Sequence, residues 1–123
     1  MPPMLPLGRL VREDEFRRVY REGSRRSTPL LVLHARPNGL GAVRLGLAVG
    51  RRFGRAVRRN RLRRRLREAV RADYLRITTG VDLVLVPREA AARAMYRDLR
   101  AAALTALGAA GLLDDRLGGD RER

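Results

Sequence analysis

RRFGRAVRRNRLRRRLREAVR, residues 51–71, places 11 arginines among 21 residues while keeping a regular apolar spacing. At 100° per residue, Leu62, Leu66, Val70 and Ile77, flanked by Ala69, fall on one side of a helix and form a stripe that faces a core. Asn60, Arg64, Arg67 and Arg71, at steps of four, three and four, lie within about 60° of one another. Arg58, Arg61 and Arg65 gather on a third side. A merely solvated helix face would mix charges to gain i,i+4 pairs, yet Glu68 is the only acid in the stretch. Like charges at this density repel, so the pattern calls for a polyanion to compensate them. The chain has no lysine, and the planar fork of arginine suits phosphate better than a point charge does.

Outside this stretch the composition narrows the choices. At 123 residues the chain is one domain with a modest core. Phe16, Phe53, Tyr20, Tyr74 and Tyr96 are its only aromatics, so that core is built from Leu, Val and Ala. A net charge of +15 and a pI near 11.8 point to an electrostatic partner. A membrane surface would demand bulky anchors along the basic helix, and the stripe is too narrow for that. No run of 18 apolar residues indicates a membrane span, and the start lacks the regions of a secretory signal, so a cytoplasmic chain is expected. With no cysteine there is no disulfide framework and no thiolate zinc site. His34, the single histidine, excludes a two-histidine metal site and leaves a Ser-His-Asp arrangement open by count alone.

Read in order, residues 1–8 form a flexible lead-in. A short helix is predicted over 12–22, with Glu13, Asp14 and Glu15 at its positive end and Gly23 as its stop. Residues 24–27 read as a polar connector, 29–36 and 42–50 as two strands joined in a hairpin by the turn 37–41. On the first strand Leu31 and Leu33 alternate with Val32, His34 and Arg36. On the second, Leu45, Leu47 and Val49 oppose Arg44, Gly46 and Ala48. Phe53 closes the start of a long helix over 55–76. Residues 81–86 (VDLVLV) are apolar on both faces, as a central strand would be. A last helix is predicted over 89–107, with Met95, Leu99, Ala103 and Leu107 packing and Gly108 stopping it. Residues 108–123 form a frayed tail. The order α-β-β-α-β-α describes an α+β sandwich of helices on a small sheet, a single domain over 9–107.

Ala56-Val57-x-Arg59-Asn60-Arg61-Leu62-Arg63-Arg64-x-Leu66-Arg67 resembles the A-V-x-R-N-R-x-K-R-x-x-R helix of the bacterial ribonuclease P protein subunits. The departures are arginine for lysine at Arg63, and at Arg55 ahead of the motif. Leu10…Phe16-x-x-Val19-Tyr20-x-x-Gly23 resembles the first helix of the same family, and the similarity extends over about residues 9–107. The resemblance implies a ribosomal-protein-like or elongation-factor-like topology, with a left-handed βαβ crossover where general rules favour a right-handed one. It implies that Arg51, Arg52, Arg55, Arg59, Asn60, Arg61, Arg63, Arg64, Arg67 and Arg71 contact a catalytic RNA. It also implies that Phe16 and Tyr20 hold the single-stranded 5′ leader of precursor tRNA. Counted without gaps from Phe16, His34 falls where relatives carry a leader-facing aromatic, and histidine can stack on a base. Small Gly46 and Ala48 would leave room for a backbone to pass.

The residues offer no evident hydrolytic constellation. Metal-dependent nucleases cluster carboxylates around two cations about 4 Å apart, whereas the acids here are scattered and neighbours such as Glu13, Asp14 and Glu15 point apart. The resemblance assigns catalysis and Mg2+ to the RNA subunit, with no cofactor bound by the protein alone and no protein partner required. The expected function is therefore to assist removal of the tRNA 5′ leader and to widen the substrate range. Two other classes stay open on the residues alone. One is an architectural RNA-binding protein with no associated reaction. The other is a DNA-binding protein with its arginine helix in a major groove, which would ordinarily bring a second short helix or a dimer seam.

Overall fold

The structure, a computed structural model, describes residues 7–114. Its strands are β1 (Gly8–Arg9), β2 (Ser24–Ser27), β3 (Leu31–Pro37), β4 (Val43–Leu47) and β5 (Val81–Pro87), and its helices are α1 (Glu13–Glu22), α2 (Ala56–Arg71) and α3 (Tyr96–Ala109). The strands form one mixed sheet in the order β1-β4-β5-β3-β2. β5 is antiparallel to β3 and parallel to β4, so α2 lies within a βαβ crossover. The α+β architecture agrees with the expectation from sequence.

β5 explains the sheet order. Its residues are buried on both sides, with only Val86 partly open, and a strand of that kind lowers its free energy most at the centre. Val81, Leu83 and Leu85 join Leu31, Leu33, Val43, Leu45 and the helix residues Leu62, Leu66, Val70, Leu99 and Leu107 in the main core. Val84 turns to the other face, where it packs with Leu10 and Val19, and Phe16, Ala48 and Val86 lean on the cluster. The apolar stripe expected on α2 is therefore the buried one, and Ile77 completes it from beyond the helix.

The expected hairpin does not form. β5 is inserted between β3 and β4, and the loop joining them passes across its start. Asn38 N–H donates to Gly80 O (2.8 Å) and Gly80 N–H to Ala42 O (3.1 Å). Gly80 sits at φ +78°, and a Cβ there would lie 2.9 Å from Leu40 O, so the crossing needs a glycine. A turn of this length suits either arrangement. The apolar second face of β5 selects the one observed.

Other boundaries move for local reasons. Residues 24–27 are an edge strand, paired antiparallel with β3 and exposed throughout. Short, charged edge strands carry no hydrophobic alternation to reveal them. Gly8–Arg9 pairs parallel with β4, which extends the sheet into the expected lead-in. α2 stops at Arg71, five residues before the expected end at 76, and Asp73 follows, buried, taking two hydrogen bonds from Arg100 (2.9 and 3.0 Å). A helix continued through Asp73 would have to surrender that link to α3. The last helix is likewise split: 89–93 is a 3-10 turn, and α3 begins only at Tyr96. Met95, expected to pack, is 58% exposed at the junction, whereas Leu99, Ala103 and Leu107 are buried. Gly108 stays helical, the chain turns at Gly111 (φ +73°), and Leu113 bridges back to Ile77. Residues 1–6 and 115–123 lie outside the described residues.

Under α1, Asp82 is 3% exposed and accepts from Arg44 Nε and Nη2 (2.8 Å each) and from Asn38 Nδ2 (2.8 Å). Glu15 adds a longer contact to Arg44 (3.4 Å) while its other oxygen accepts from Arg12 N–H (3.2 Å) at the start of α1. Burial pushes the Asp82 carboxyl up, but the hydrogen bonds from Arg44 and Asn38 and the charges of Arg44 and Arg36 outweigh it and hold the group below its ordinary value. Folding thus keeps Asp82 ionised where the unfolded chain has begun to bind a proton. Its contribution is complete above about pH 4 and is lost as acid titrates the folded carboxyl. Asp82→Ala should destabilise the fold by about 2–3 kcal/mol, less than a fully buried pair would cost because the Arg44 side chain is 29% exposed. Urea unfolding at pH 7 and pH 3 checks this: the gap between wild type and variant should shrink at the lower pH.

Candidate nucleic-acid interface

α2 buries Leu62, Leu66, Ala69 and Val70 against the sheet and α3, and that fixes the direction of every arginine. Asn60, Arg64 and Arg71 point outward and are exposed. The Arg59, Arg63 and Arg67 edge leans towards β4 and β1. There Arg63 donates to Asn60 Oδ1 (2.8 Å) and to Val49 O (3.3 Å). Arg59 Nε and Arg67 Nη1 are buried atoms with no hydrogen-bond partner. Burial, then the charges of Arg9 and Arg71, lower the pKa of the Arg67 guanidinium from its ordinary value. It stays charged at neutral pH, but unfavourably, and an arriving anion would relieve the strain on it.

At the helix start Arg51 and Arg52 belong to a 3-10 turn, and Arg55 is the residue before α2. Arg52 lies over the Phe53 ring (5.1 Å to its centroid) and donates to Pro87 O (3.2 Å). Phe53 is half-buried against the core, as expected of a residue closing the helix start. Arg88 joins Arg52 at this end of the sheet, donating to Thr28 O (2.9 Å) and to Ser27 Oγ. The opposite side of α2 carries Arg58, Arg61 and Arg65, which face the 3-10 turn at 89–93.

The aromatic set lies on the other face of the sheet. Strand register puts Arg25, His34, Val84 and Gly46 in one row across β2, β3, β5 and β4. Tyr20 meets His34 edge-to-face, with centroids 4.8 Å apart and planes at 83°, the geometry favoured by ring quadrupoles. Phe16, one helical turn before Tyr20, takes the space above Gly46. A Cβ on Gly46 would stand 2.6 Å from Phe16 Cζ. The room expected at Gly46 is therefore filled by Phe16, and the partly open positions nearby are Ala48 and Val86.

Burial raises the Tyr20 pKa, and burial followed by the charge of Arg25 lowers that of His34. His34 is thus neutral at physiological pH, presenting an uncharged ring beside a cationic side chain. Sequence reasoning placed Phe16, Tyr20 and His34 and missed Arg25, Arg88 and Arg93. Those three sit on an edge strand, at a strand end and on a turn, where no periodicity marks them.

The acids are committed elsewhere: Asp82 to Arg44, Asp73 to Arg100, and Glu22 to Arg36 (2.8 Å). Among the described residues no group of three or more His, Asp and Glu is arranged to hold a metal ion, and no helix is long and apolar enough to cross a membrane. The surface is strongly cationic, built on a small α+β body whose most arginine-rich helix lies across one face of the sheet.

Known proteins share this architecture. Residues 5–111 match the family Ribonuclease P. The chain is 35% identical to the ribonuclease P protein component of Clostridium kluyveri over 106 residues, covering 85% of this chain and 95% of that one. It is 48% identical to the component from Chloroflexus aurantiacus over 80 residues, 65% of this chain but only 59% of the relative's length. The Thermotoga maritima ribonuclease P protein superposes with a TM-score of 0.73 at 34% identity, covering 79% of this chain and 92% of that one. The Staphylococcus aureus protein, at 23% identity, shares the fold, with a TM-score of 0.78 over 89% of this chain and all of the other. This chain belongs to the ribonuclease P protein family.

The lone histidine gives a direct check on the aromatic face. Its NMR titration midpoint should fall below about 6.5 and rise again in Tyr20→Ala, which exposes the ring, and in Arg25→Ala, which removes the neighbouring charge. A wild-type midpoint at or above the ordinary value would contradict the burial described.

Proposed function

We propose that the chain is the protein subunit of a ribonuclease P ribonucleoprotein in the cytoplasm, and that it binds two RNAs through two separate surfaces. The observation that carries the reading is the state of α2. Its apolar stripe is fully used in the core, while Arg55, Arg64 and Arg71 with Asn60 stand exposed and Arg59 and Arg67 keep buried N–H groups without acceptors. Arg51, Arg52, Arg55, Arg59, Asn60, Arg61, Arg63, Arg64, Arg67 and Arg71 contact the phosphates and folded shape of the catalytic RNA. Phe16, Tyr20 and His34 hold the 5′ leader of precursor tRNA on the far face of the sheet, with Arg25 next to His34 available for a leader phosphate. Phe16 acts largely by shaping the floor, because its ring is packed over Gly46.

In this division the protein performs no bond cleavage. Its buried carboxylates Asp82 and Asp73 are paired with arginines, and its one histidine meets Tyr20 edge-to-face without a positioned acid or base partner. Hydrolysis and the Mg2+ ions that support it go with the RNA subunit. The protein raises substrate affinity and widens the range of precursors accepted. An architectural RNA-binding protein would share the cationic helix but gives no reason for a separate aromatic face.

Reconstitution tests this. The purified chain, a bacterial ribonuclease P RNA and precursor tRNA are combined at low magnesium, and leader removal should exceed that by the RNA alone. Equal rates would overturn the reading, as would leader removal by the protein without RNA. Arg64→Ala with Arg67→Ala should weaken assembly and reduce the salt slope of binding by about 1 for each phosphate no longer neutralised. Tyr20→Ala with His34→Ala should leave assembly intact and abolish the gain from a longer leader, at roughly 1–3 kcal/mol per stacked base. If both pairs impair the same step equally, the two-surface arrangement is wrong.

A further inference from the structure

A groove of about 660 Å³ runs between one edge of α2 and the 3-10 turn at 89–93. It is lined by Arg52, Arg58, Arg61, Arg65 and Arg93, opposed by the single carboxylate of Glu89. Two of these arginines pin its walls, Arg52 to Pro87 O (3.2 Å) and Arg65 to Ala94 O (2.5 Å). Arg58, Arg61 and Arg93 are exposed and have no hydrogen-bond or ion-pair partner among the described residues. The Arg58 stem passes close to Gly54. A concave surface with this excess of one charge attracts anions.

The spacing says what kind of anion. Residues 58, 61 and 65 extend for roughly 10 Å along the helix axis at 1.5 Å per residue. One phosphate would satisfy one or two of these guanidinium groups, whereas successive phosphates of a strand would satisfy all of them, each through a planar fork. Of the groove's arginines, Arg61 belongs to the motif and Arg52 precedes it, and the other three lie outside the motif positions. Arg58 and Arg65 occupy positions that the A-V-x-R-N-R-x-K-R-x-x-R pattern leaves open, and Arg93 lies outside it.

We propose that this groove is a second phosphodiester-binding site, which takes a run of RNA backbone separate from the one on the Asn60, Arg64, Arg67 and Arg71 face. The inference rests on the chain being an RNA-binding subunit, and the experiment distinguishes the two. Arg58→Gln with Arg93→Gln is compared with wild type and with Arg58→Lys/Arg93→Lys, in binding to ribonuclease P RNA alone and in binding of precursor tRNA to the assembled ribonucleoprotein. Both side chains are exposed and partnerless, so folding should be unaffected. The glutamine variant should bind about tenfold more weakly in one arm, with a salt slope reduced by about 1–2, and the lysine variant should recover most of the slope. Weakening in the first arm assigns the groove to the catalytic RNA, and weakening in the second assigns it to the substrate.

Location is checked independently. The chain has no cysteine, so Ala92→Cys accepts a single chelated-iron cleaver at the groove wall, which should cut the RNA within confined segments. Wild-type binding with unchanged slopes in both arms, or no cutting above background, overturns the groove while leaving the proposed function standing. Failure of the wild type to bind RNA at all overturns both.

Discussion

Burying β5 on both faces requires two covering layers, and the fold is arranged to supply them. α2 and α3 cover one side through Leu62, Leu66, Leu99 and Leu107, while α1 covers the other through Val19 and the Phe16 ring. Because β5 occupies the centre, β3 and β4 are forced to its two sides and their connection must cross its end. The arginines of α2 are a consequence of the same constraint. Once the apolar stripe is directed at the sheet, the rest of the circumference has nowhere to go but outward. Cation density then becomes a surface property that the core stabilises and that the charges themselves oppose.

That opposition is managed unevenly. Where an acid could be provided at little cost, the fold provides it: Asp82 for Arg44 and Asp73 for Arg100, each with two hydrogen bonds to one guanidinium. These pairs join elements, the first tying β4 to β5 beneath α1 and the second tying the end of α2 to α3. Along α2 the pattern changes. Arg52, Arg63 and Arg65 are oriented by backbone carbonyls instead of carboxylates. A carbonyl positions a guanidinium without neutralising it, so these side chains are held in place with their charge undiminished. This is the preorganisation that limits the ordering entropy lost on binding.

The two faces of the sheet also differ in chemistry. One presents charge on a rigid helix, and the other presents rings beside small and β-branched residues, with His34 kept neutral by burial. Folded RNA offers a dense phosphate surface, whereas an unpaired strand offers bases as well. A cationic helix suits the first and an aromatic floor the second. Arg52 and Arg88 add charge where β5 ends, each donating to backbone carbonyls there.

Sequence by itself determined the α+β class, the buried stripe and cationic faces of α2, the central character of β5 and the helical partnership of Phe16 with Tyr20. These follow from patterning within single elements and from the order of those elements along the chain. Only the tertiary structure decided that β3 and β4 are separated by β5, that residues 24–27 pair as an edge, that α2 ends in time to free Asp73, and that 89–95 breaks from α3. It alone brought Arg93 across from Arg58 and Arg61, and the Phe16 ring over Gly46. Those outcomes turn on interactions between residues distant in the chain, where the free energy of burying a shared face outweighs local preference, and local preference is all that a single sequence displays.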